Sequence, residues 1–178
     1  ADEVIVVDDA STDGTRQAAE KLGAKVVSNN QGKGYIGAIK TGFKQARGEI
    51  VITLDADGEH APQDIPRLIQ PILDDKADLV LGKREKIARI SERFVAWLTN
   101  FKVKVADPNT GFRAIRRDVA LKLKLEAKCT CGVLVLEADN YGARIDEVPI
   151  TARQIPKKRK IAWEHFCQLF YILRWLAA

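Results

Sequence analysis

Two carboxylates one residue apart, Asp55 and Asp57, follow the most strongly β-forming run of the chain, Ile50-Val51-Ile52-Thr53-Leu54. Alternation past a strand end sends both side chains the same way, so both can reach one cation with hard oxygen donors. Those are the ligands that Mg²⁺ or Mn²⁺ takes when it bridges a diphosphate. Glu59, two residues on, offers a third oxygen. A D-x-D triplet alone also describes a solvated turn, and it is the position at a strand end that favours metal. A second acidic pair, Asp8-Asp9, ends another strand, where a carboxylate can accept hydrogen bonds from a ribose hydroxyl or a base N–H. Thr12 and Asp13 stand ready to cap the helix that follows, which is expected to leave Asp8 and Asp9 for a ligand.

Cations supply the complement. Gly32-Lys33-Gly34 precedes a helix and can present backbone N–H groups to phosphate, although it matches neither the P-loop nor the G-x-G-x-x-G pattern. Gly37 and Gly42 read as close-packing positions against the sheet. Lys83, Arg84, Lys86, Arg89 and Arg93 place five cations in residues 83–93, enough to hold phosphates and neutralise a leaving diphosphate. Lys86 and Arg89 fit a solvated helix face equally well, whereas Arg84 follows a strand end directly. His60 is expected to support the metal loop and His165 to lie in a helix. No serine or cysteine triad is readable, and Cys129, Cys131 and Cys167 have neither disulfide-framework nor zinc spacing, so reduced thiols in a cytosolic compartment are expected.

The elements that must position these groups alternate. Short β-branched runs at Glu3–Val7, Lys25–Ser28, Ile50–Leu54 and Leu79–Gly82 are separated by helical patterns ending near Leu22, spanning Tyr35–Ala46 and spanning Gln63–Leu73. Strand and helix in strict alternation predict an α/β, Rossmann-like fold: a mostly parallel central sheet with helices on both faces and ligands at the strand carboxyl ends. Beyond Arg84 the pattern predicts a basic helix over Ile90–Phe101, a turn at Asp107-Pro108-Asn109-Thr110-Gly111, helices near Arg116–Leu125 and Val133–Gly142, and a strand over Asp146–Thr151.

At 178 residues the chain is one domain of ordinary length, and 46% hydrophobic with 30% charged residues excludes disorder and collagen-like or disulfide scaffolds. Residues 1–78 carry 9 basic and 14 acidic side chains, residues 79–151 carry 14 and 9, and residues 152–178 carry 6 and 1. An acidic front suits a metal-assisted site; a basic back suits phosphate or an anionic membrane surface. The basic residues are not interleaved with exposed aromatics in a readable module, so nucleic acid is not an expected partner. Lys157-Lys158-Arg159-Lys160 precedes a helix to Ala177 whose polar residues Glu164, His165, Gln168 and Arg174 form a narrow stripe on an otherwise apolar surface. Such a helix suits the plane of a membrane interface better than a span, with a helix packed on the domain, or one that precedes transmembrane segments, as the alternatives. There is no run of about 18 apolar residues and no leader pattern. With no methionine, even at position 1, the sequence reads as a processed chain or as part of a longer one.

Taken in order, Val6-Val7-Asp8-Asp9-Ala10-Ser11-Thr12-Asp13-Gly14-Thr15, Asn30-Gln31-Gly32-Lys33-Gly34, Asp55-Ala56-Asp57-Gly58-Glu59-His60, Leu81-Gly82-Lys83-Arg84, Asp107-Pro108-Asn109-Thr110-Gly111-Phe112-Arg113 and Glu147-Val148-Pro149-Ile150 resemble the family-two glycosyltransferases, the polyprenyl-phosphate branch of dolichol-phosphate mannose synthase type in particular. The resemblance implies a nucleotide-diphosphate-sugar transferase fold of GT-A type. Residues 1–151 would form the catalytic domain, with a nucleotide and metal half at 1–82 and an acceptor half at 83–151; residues 152–178 would form a basic loop and a membrane-interface helix. It implies Mg²⁺ or Mn²⁺ on Asp55, Asp57 and Glu59, where the family often has Gln at the last position. It further implies nucleotide contacts from Asp8, Asp9, Lys33, Asp55, Ala56 and Arg84, and an acceptor phosphate met by Arg93 with Lys158 and Arg159. Asp57, Arg84 and Arg93 would be the catalytic set. The implied reaction is inverting transfer of a sugar from a GDP- or UDP-linked donor to a polyprenyl phosphate, at the cytoplasmic face of a membrane.

The strand with a Pro-x-Tyr-Asn-Glu-like end that opens this family is missing from the sequence. Two other readings stand beside the lipid one. A sugar or polysaccharide acceptor would need a carboxylate base, for which Glu137 and Asp139 are the loosely placed candidates; a non-catalytic membrane-associated domain would keep the fold alone.

Overall fold

The computed structural model describes residues 1–32, 34–87, 89–153 and 162–176. The first half alternates as expected: β1 (Ile5–Asp8), α1 (Thr15–Lys21), β2 (Lys25–Ser28), α2 (Tyr35–Gln45), β3 (Ile50–Thr53), α3 (Ile65–Leu73), entered through a short 3₁₀ turn at Pro62–Asp64, and β4 (Leu79–Lys83). Then follow α4 (Ile90–Thr99), β5 (Arg113–Arg116), α5 (Arg117–Lys122), α6 (Val133–Asn140), β6 (Ile145–Pro149) and α7 (Ala162–Leu176).

Two parallel strands, β1 and β2, form one sheet, and a second runs in the order β3-β5-β4-β6. The sheet is therefore mixed rather than mostly parallel. β5 lies antiparallel between β3 and β4, with Thr53 opposite Arg113 and Leu81 opposite Arg113 on the other side, while β4 and β6 run parallel. This strand is not predicted, because Arg113-Ala114-Ile115-Arg116 has charged ends and only two apolar residues between them. Residue alternation divides the core by sheet face. Leu79, Leu81 and Ile115 pack with Phe43, Val95, Val133 to Leu136 and Ile172 on one side, and Val80, Phe112 and Ala114 pack with Leu68 and Ile72 of α3 on the other.

The basic-segment helix α7 is not detached from this core. Ile172 is fully buried, and the buried Gln168 donates to Cys129 O at 2.7 Å and Cys131 O at 3.1 Å. At Gln168, then, the polar stripe faces the protein, and α7 packs on α4 and α6.

The sheet end remote from the carboxyl termini of β3, β4 and β6 is clamped by ions. Asp78, before β4, accepts from Arg144 Nε at 3.0 Å and from Arg116 Nε at 3.1 Å. Hydrogen bonds from Arg144 are the main reason that the Asp78 carboxyl is held down to about 2. A depressed carboxyl stabilises the fold above its unfolded value near 3.8 and loses that contribution as pH falls through about 2, which amounts to about 2 kcal/mol. Urea unfolding at pH 6 and pH 2 should show this acid loss shrinking by about that amount in Asp78→Asn; an undiminished loss would refute the assignment.

Candidate active site

The carboxyl end of β1 meets α2, and that of β3 meets the start of β5. Asp8 is buried at the end of β1; its carboxylate accepts from Ser11 N at 3.0 Å and Arg16 Nε at 3.1 Å, and the Ser11 hydrogen bonds are the first cause of its lowered pKa. Asp9 accepts from Asn29 Nδ2 at 2.9 Å and Gly34 N at 2.8 Å. The expectation that both are left unengaged is corrected: Asp8 closes its own loop, and Asp9 ties it to the glycine loop. Helix α1 has Gly14 at its N-cap, and Asp13 just before it takes the capping role: its Oδ1 accepts from the backbone N–H of Thr15, the first helical residue, at 3.2 Å. Gly37 also differs from its reading, since a Cβ there would overlap the carbonyl of Gly32; it packs the helix on the glycine loop, whereas Gly42 does face Val7 of β1. Lys33 lies outside the described residues.

Asp55 is half-buried one residue past Leu54, while Ala56 and Asp57 are exposed. The antiparallel register of β3 and β5, continued two residues beyond Thr53 and Arg113, sets Asp55 opposite Gly111. A Cβ on Gly111 would overlap the Asp55 carboxylate, so the absence of a side chain there makes the cradle in which the carboxylate sits. Thr53 Oγ1 donates to Gly111 O at 2.8 Å and locks the two chains together. Asp57 Oδ1 accepts from Glu59 N at 3.0 Å, closing the turn that carries it.

The structure does not gather Asp55, Asp57 and Glu59 into one cluster. Among the described residues no group of three or more His, Cys, Asp or Glu stands ready for a metal ion. Glu59 is buried, with its carboxylate 3.6 Å from Arg84 Nη1. Two hard oxygen donors on one short turn, one of them in a cradle, fit a divalent cation that keeps part of its water or takes oxygens from a diphosphate. His60 is buried against Phe112, ring centroids 5.5 Å apart, and neither ring nitrogen has a hydrogen-bond partner among the described residues. Burial lowers its pKa, so it supports the loop by packing as a neutral ring.

Arg84 is the hub of the acceptor half. Its guanidinium meets Asp107 through Nε at 2.7 Å and Nη2 at 2.9 Å, and meets Glu92 of α4 through Nη2 at 3.1 Å. Burial opposes its charge, but the Asp107 hydrogen bonds, with Asp107, Glu92 and Glu59 as counter-charges, raise its pKa overall. Those donors are spent on carboxylates, so this arrangement does not present Arg84 to a phosphate. It fastens α4 and the 106–111 loop to β4. The loop is held further by Glu147, which accepts from Ala106 N and Asp107 N at 2.7 Å each, and by Asn109, which donates to Glu92 O at 2.7 Å. Arg93 is exposed on α4; Lys158 and Arg159 lie outside the described residues.

Sequence reading treats α4 as basic and misses its outer face. Ile90, Phe94, Trp97 and Phe101 are 84%, 47%, 57% and 64% exposed, and Trp97 stacks on Phe94 at 5.8 Å and meets Phe101 edge-on at 4.8 Å. The spacing of three and four residues was the signal that could have revealed this aromatic ridge. Phe170 and Leu173 of α7 are also exposed. No helix among the described residues is long and apolar enough to cross a membrane. Glu137, the candidate base for a sugar acceptor, is fully buried with both oxygens accepting backbone N–H groups of Lys124 and Leu125, which leaves it no access to a hydroxyl.

The glycosyl transferase family 2 model matches residues 1–132. The UDP-N-acetylglucosamine–dolichyl-phosphate N-acetylglucosaminyltransferase of Methanococcus voltae is 33% identical over 187 residues, covering 84% of this chain and 74% of its own length. The dolichol-phosphate mannosyltransferase of Pyrococcus furiosus is 28% identical over 97% of this chain, which spans 55% of that protein. Glucosyl-3-phosphoglycerate synthase from Mycobacterium tuberculosis, in a crystal structure with Mn²⁺ and UDP-glucose, superimposes with a TM-score of 0.81 at 23% identity over 99% of this chain and 69% of that one. The superposition gives the fold, GT-A, and the sequence match gives the kinship: the chain belongs to glycosyl transferase family 2.

Proposed function

We propose that this family 2 glycosyltransferase moves a sugar from a nucleotide-diphosphate donor to a polyprenyl phosphate at a membrane surface, with Mg²⁺ or Mn²⁺ as cofactor. The observation that carries this reading is the double use of α4. Its first turn is fastened to the site by Glu92 and Arg84, while its outer face is an exposed aromatic ridge that suits the headgroup boundary of a bilayer. One short helix thus sets a lipid-facing surface beside the strand ends that face the donor, with Arg93 exposed on it to meet the acceptor phosphate. The basic segment containing Lys158 and Arg159 adds cations that favour an anionic surface. The names of the relatives from Methanococcus voltae and Pyrococcus furiosus support the acceptor class.

Asp55 and Asp57 would hold the divalent ion, which when bound supplies charge neutralisation for the departing nucleotide diphosphate. The protein supplies the rest. Asp9 and the glycine loop form the nucleotide edge, and Gly111 and Thr53 fix the Asp55 backbone opposite the acceptor loop. A lipid phosphate is already anionic at neutral pH, so it can attack the anomeric carbon without a general base, and alignment on rigid elements is the main contribution. A single displacement of this kind inverts the anomeric configuration.

Calorimetric titration with UDP and with GDP, each with and without Mn²⁺, tests the reading. One nucleotide should bind in a metal-dependent way, and Asp57→Ala should weaken that binding at least about ten-fold with the fold unchanged. Binding that ignores both the metal and the substitution would sink the metal assignment.

A further inference from the structure

Two arginines of the acceptor half are buried, and they are treated in opposite ways. Arg84 is surrounded by three carboxylates, whereas Arg113 on β5 is 1% exposed and has a single hydrogen-bond partner among the described residues, donating through Nη2 to Thr130 Oγ1 at 3.0 Å. Its Nε and Nη1 are buried with no hydrogen-bond partner among the described residues. Arg113 is the largest fully buried side chain among the described residues. An uncompensated guanidinium at such depth is costly, and a fold that needed only volume there would be better served by a hydrocarbon of similar size.

The register shows what stands beside it. Thr53 and Arg113 are opposite one another, so Asp55, opposite Gly111, lies on the same sheet face as Arg113, diagonal to it across the strand pair. Diagonal neighbours stand about 7–8 Å apart at the backbone, within reach of a side chain as long as arginine. The phenol of Tyr35, at the start of α2, is sensitive to both. Burial pushes its pKa up, and Arg113 and Asp55 act on it in opposite senses, which places the three groups in one electrostatic neighbourhood.

We propose that Arg113 is a positioning residue for the donor site: a buried fixed charge behind Asp55 that holds its carboxylate at the Gly111 cradle for a divalent ion. This deepens the metal reading given above and rests on it. Arg113 touches neither donor nor acceptor; it acts through Asp55. The two unspent N–H donors leave the guanidinium charge unneutralised, so it acts on the Asp55 carboxylate through its field rather than through a hydrogen bond, which a guanidinium saturated like that of Arg84 could not do. Thr130, in the segment before α6, fixes the remaining end of the fork, so the charge cannot swing away.

The test compares the wild-type chain with Arg113→Met and Arg113→Lys. The thermal midpoint of the metal-free protein is measured first, then calorimetric binding of UDP and of GDP with Mn²⁺. The methionine variant should keep its midpoint or gain up to about 4 °C, because an unpaired buried charge has been removed. The same variant should bind the nucleotide with Mn²⁺ at least about ten-fold more weakly, and the lysine variant should recover part of that loss. A fall in the midpoint of Arg113→Met, wild-type binding in that variant, or no recovery with lysine each overturns the role of Arg113 while leaving the metal reading standing. A wild-type chain that binds neither nucleotide overturns the metal reading, and this inference falls with it.

Discussion

Gly111→Ala is expected to weaken metal-dependent nucleotide binding by up to about 100-fold while leaving the protein folded. The expectation follows from what the new methyl group would meet. It would overlap the carboxylate end of Asp55 and no backbone atom of another segment. A carboxylate end can rotate aside, so the overlap is relieved by turning Asp55 away from its cradle rather than by breaking the pairing of β3 and β5. The stability cost should stay near the low end of the 1–3 kcal/mol typical of overpacking. Parallel measurements of thermal midpoint and of Mn²⁺-dependent UDP and GDP titration separate the two effects. A variant that binds like wild type would mean that the position of Asp55 is irrelevant to the site.

The largest effect on stability is expected at the Arg84 hub. Asp107 is fully buried and takes two hydrogen bonds from the Arg84 guanidinium, so Asp107→Ala leaves that cation partly uncompensated and frees the 106–111 loop from β4. Breaking a buried pair from one side typically costs about 3–5 kcal/mol, which for a chain of this size lowers the midpoint by roughly 10 °C. The double variant Arg84→Met/Asp107→Ala removes the stranded charge as well. It should recover part of the loss, although Glu59 and Glu92 then lose their cation too. Urea unfolding of the two single variants and the double gives the coupling directly. Strict additivity would falsify the hub, because it would mean that Arg84 and Asp107 do not depend on each other.

The elements that the sequence displays well are those whose signals are local. β3 and β4 are runs of β-branched and aliphatic residues, α2 and α3 have apolar residues at helical spacing, and Asp55 and Asp57 announce themselves by ending a strand. What is hidden depends on pairing between distant segments. β5 has only Ala114 and Ile115 as apolar residues, and it becomes a central strand because two neighbours supply its ladder. Arg84 looks like a phosphate ligand until Asp107, 23 residues away, is seen to take it. Gly111 reads as a turn glycine, and only the strand register reveals that its missing side chain is the seat of Asp55. The site is therefore legible as a list of residue types, and illegible as a set of partners, because partner choice is decided by a topology that includes an unpredicted strand.

The first thirty residues hold one buried side chain, that of Asp8, and it is polar. The β1–β2 pair, with α1 on it, therefore adds little to the hydrophobic core, and among the described residues it shares no strand ladder with the four-stranded sheet. Hydrogen exchange in that lobe is expected to proceed by local opening of low free energy, and in β4 and β5 through global unfolding. A ligand that grips Asp9 and the glycine loop must select the closed lobe from an equilibrium that includes open forms, and its apparent affinity is reduced by the closed fraction. If the donor is gripped there as proposed, its affinity is partly a folding constant: added packing against β1, far from any contact with the nucleotide, is expected to tighten binding as a new hydrogen bond would.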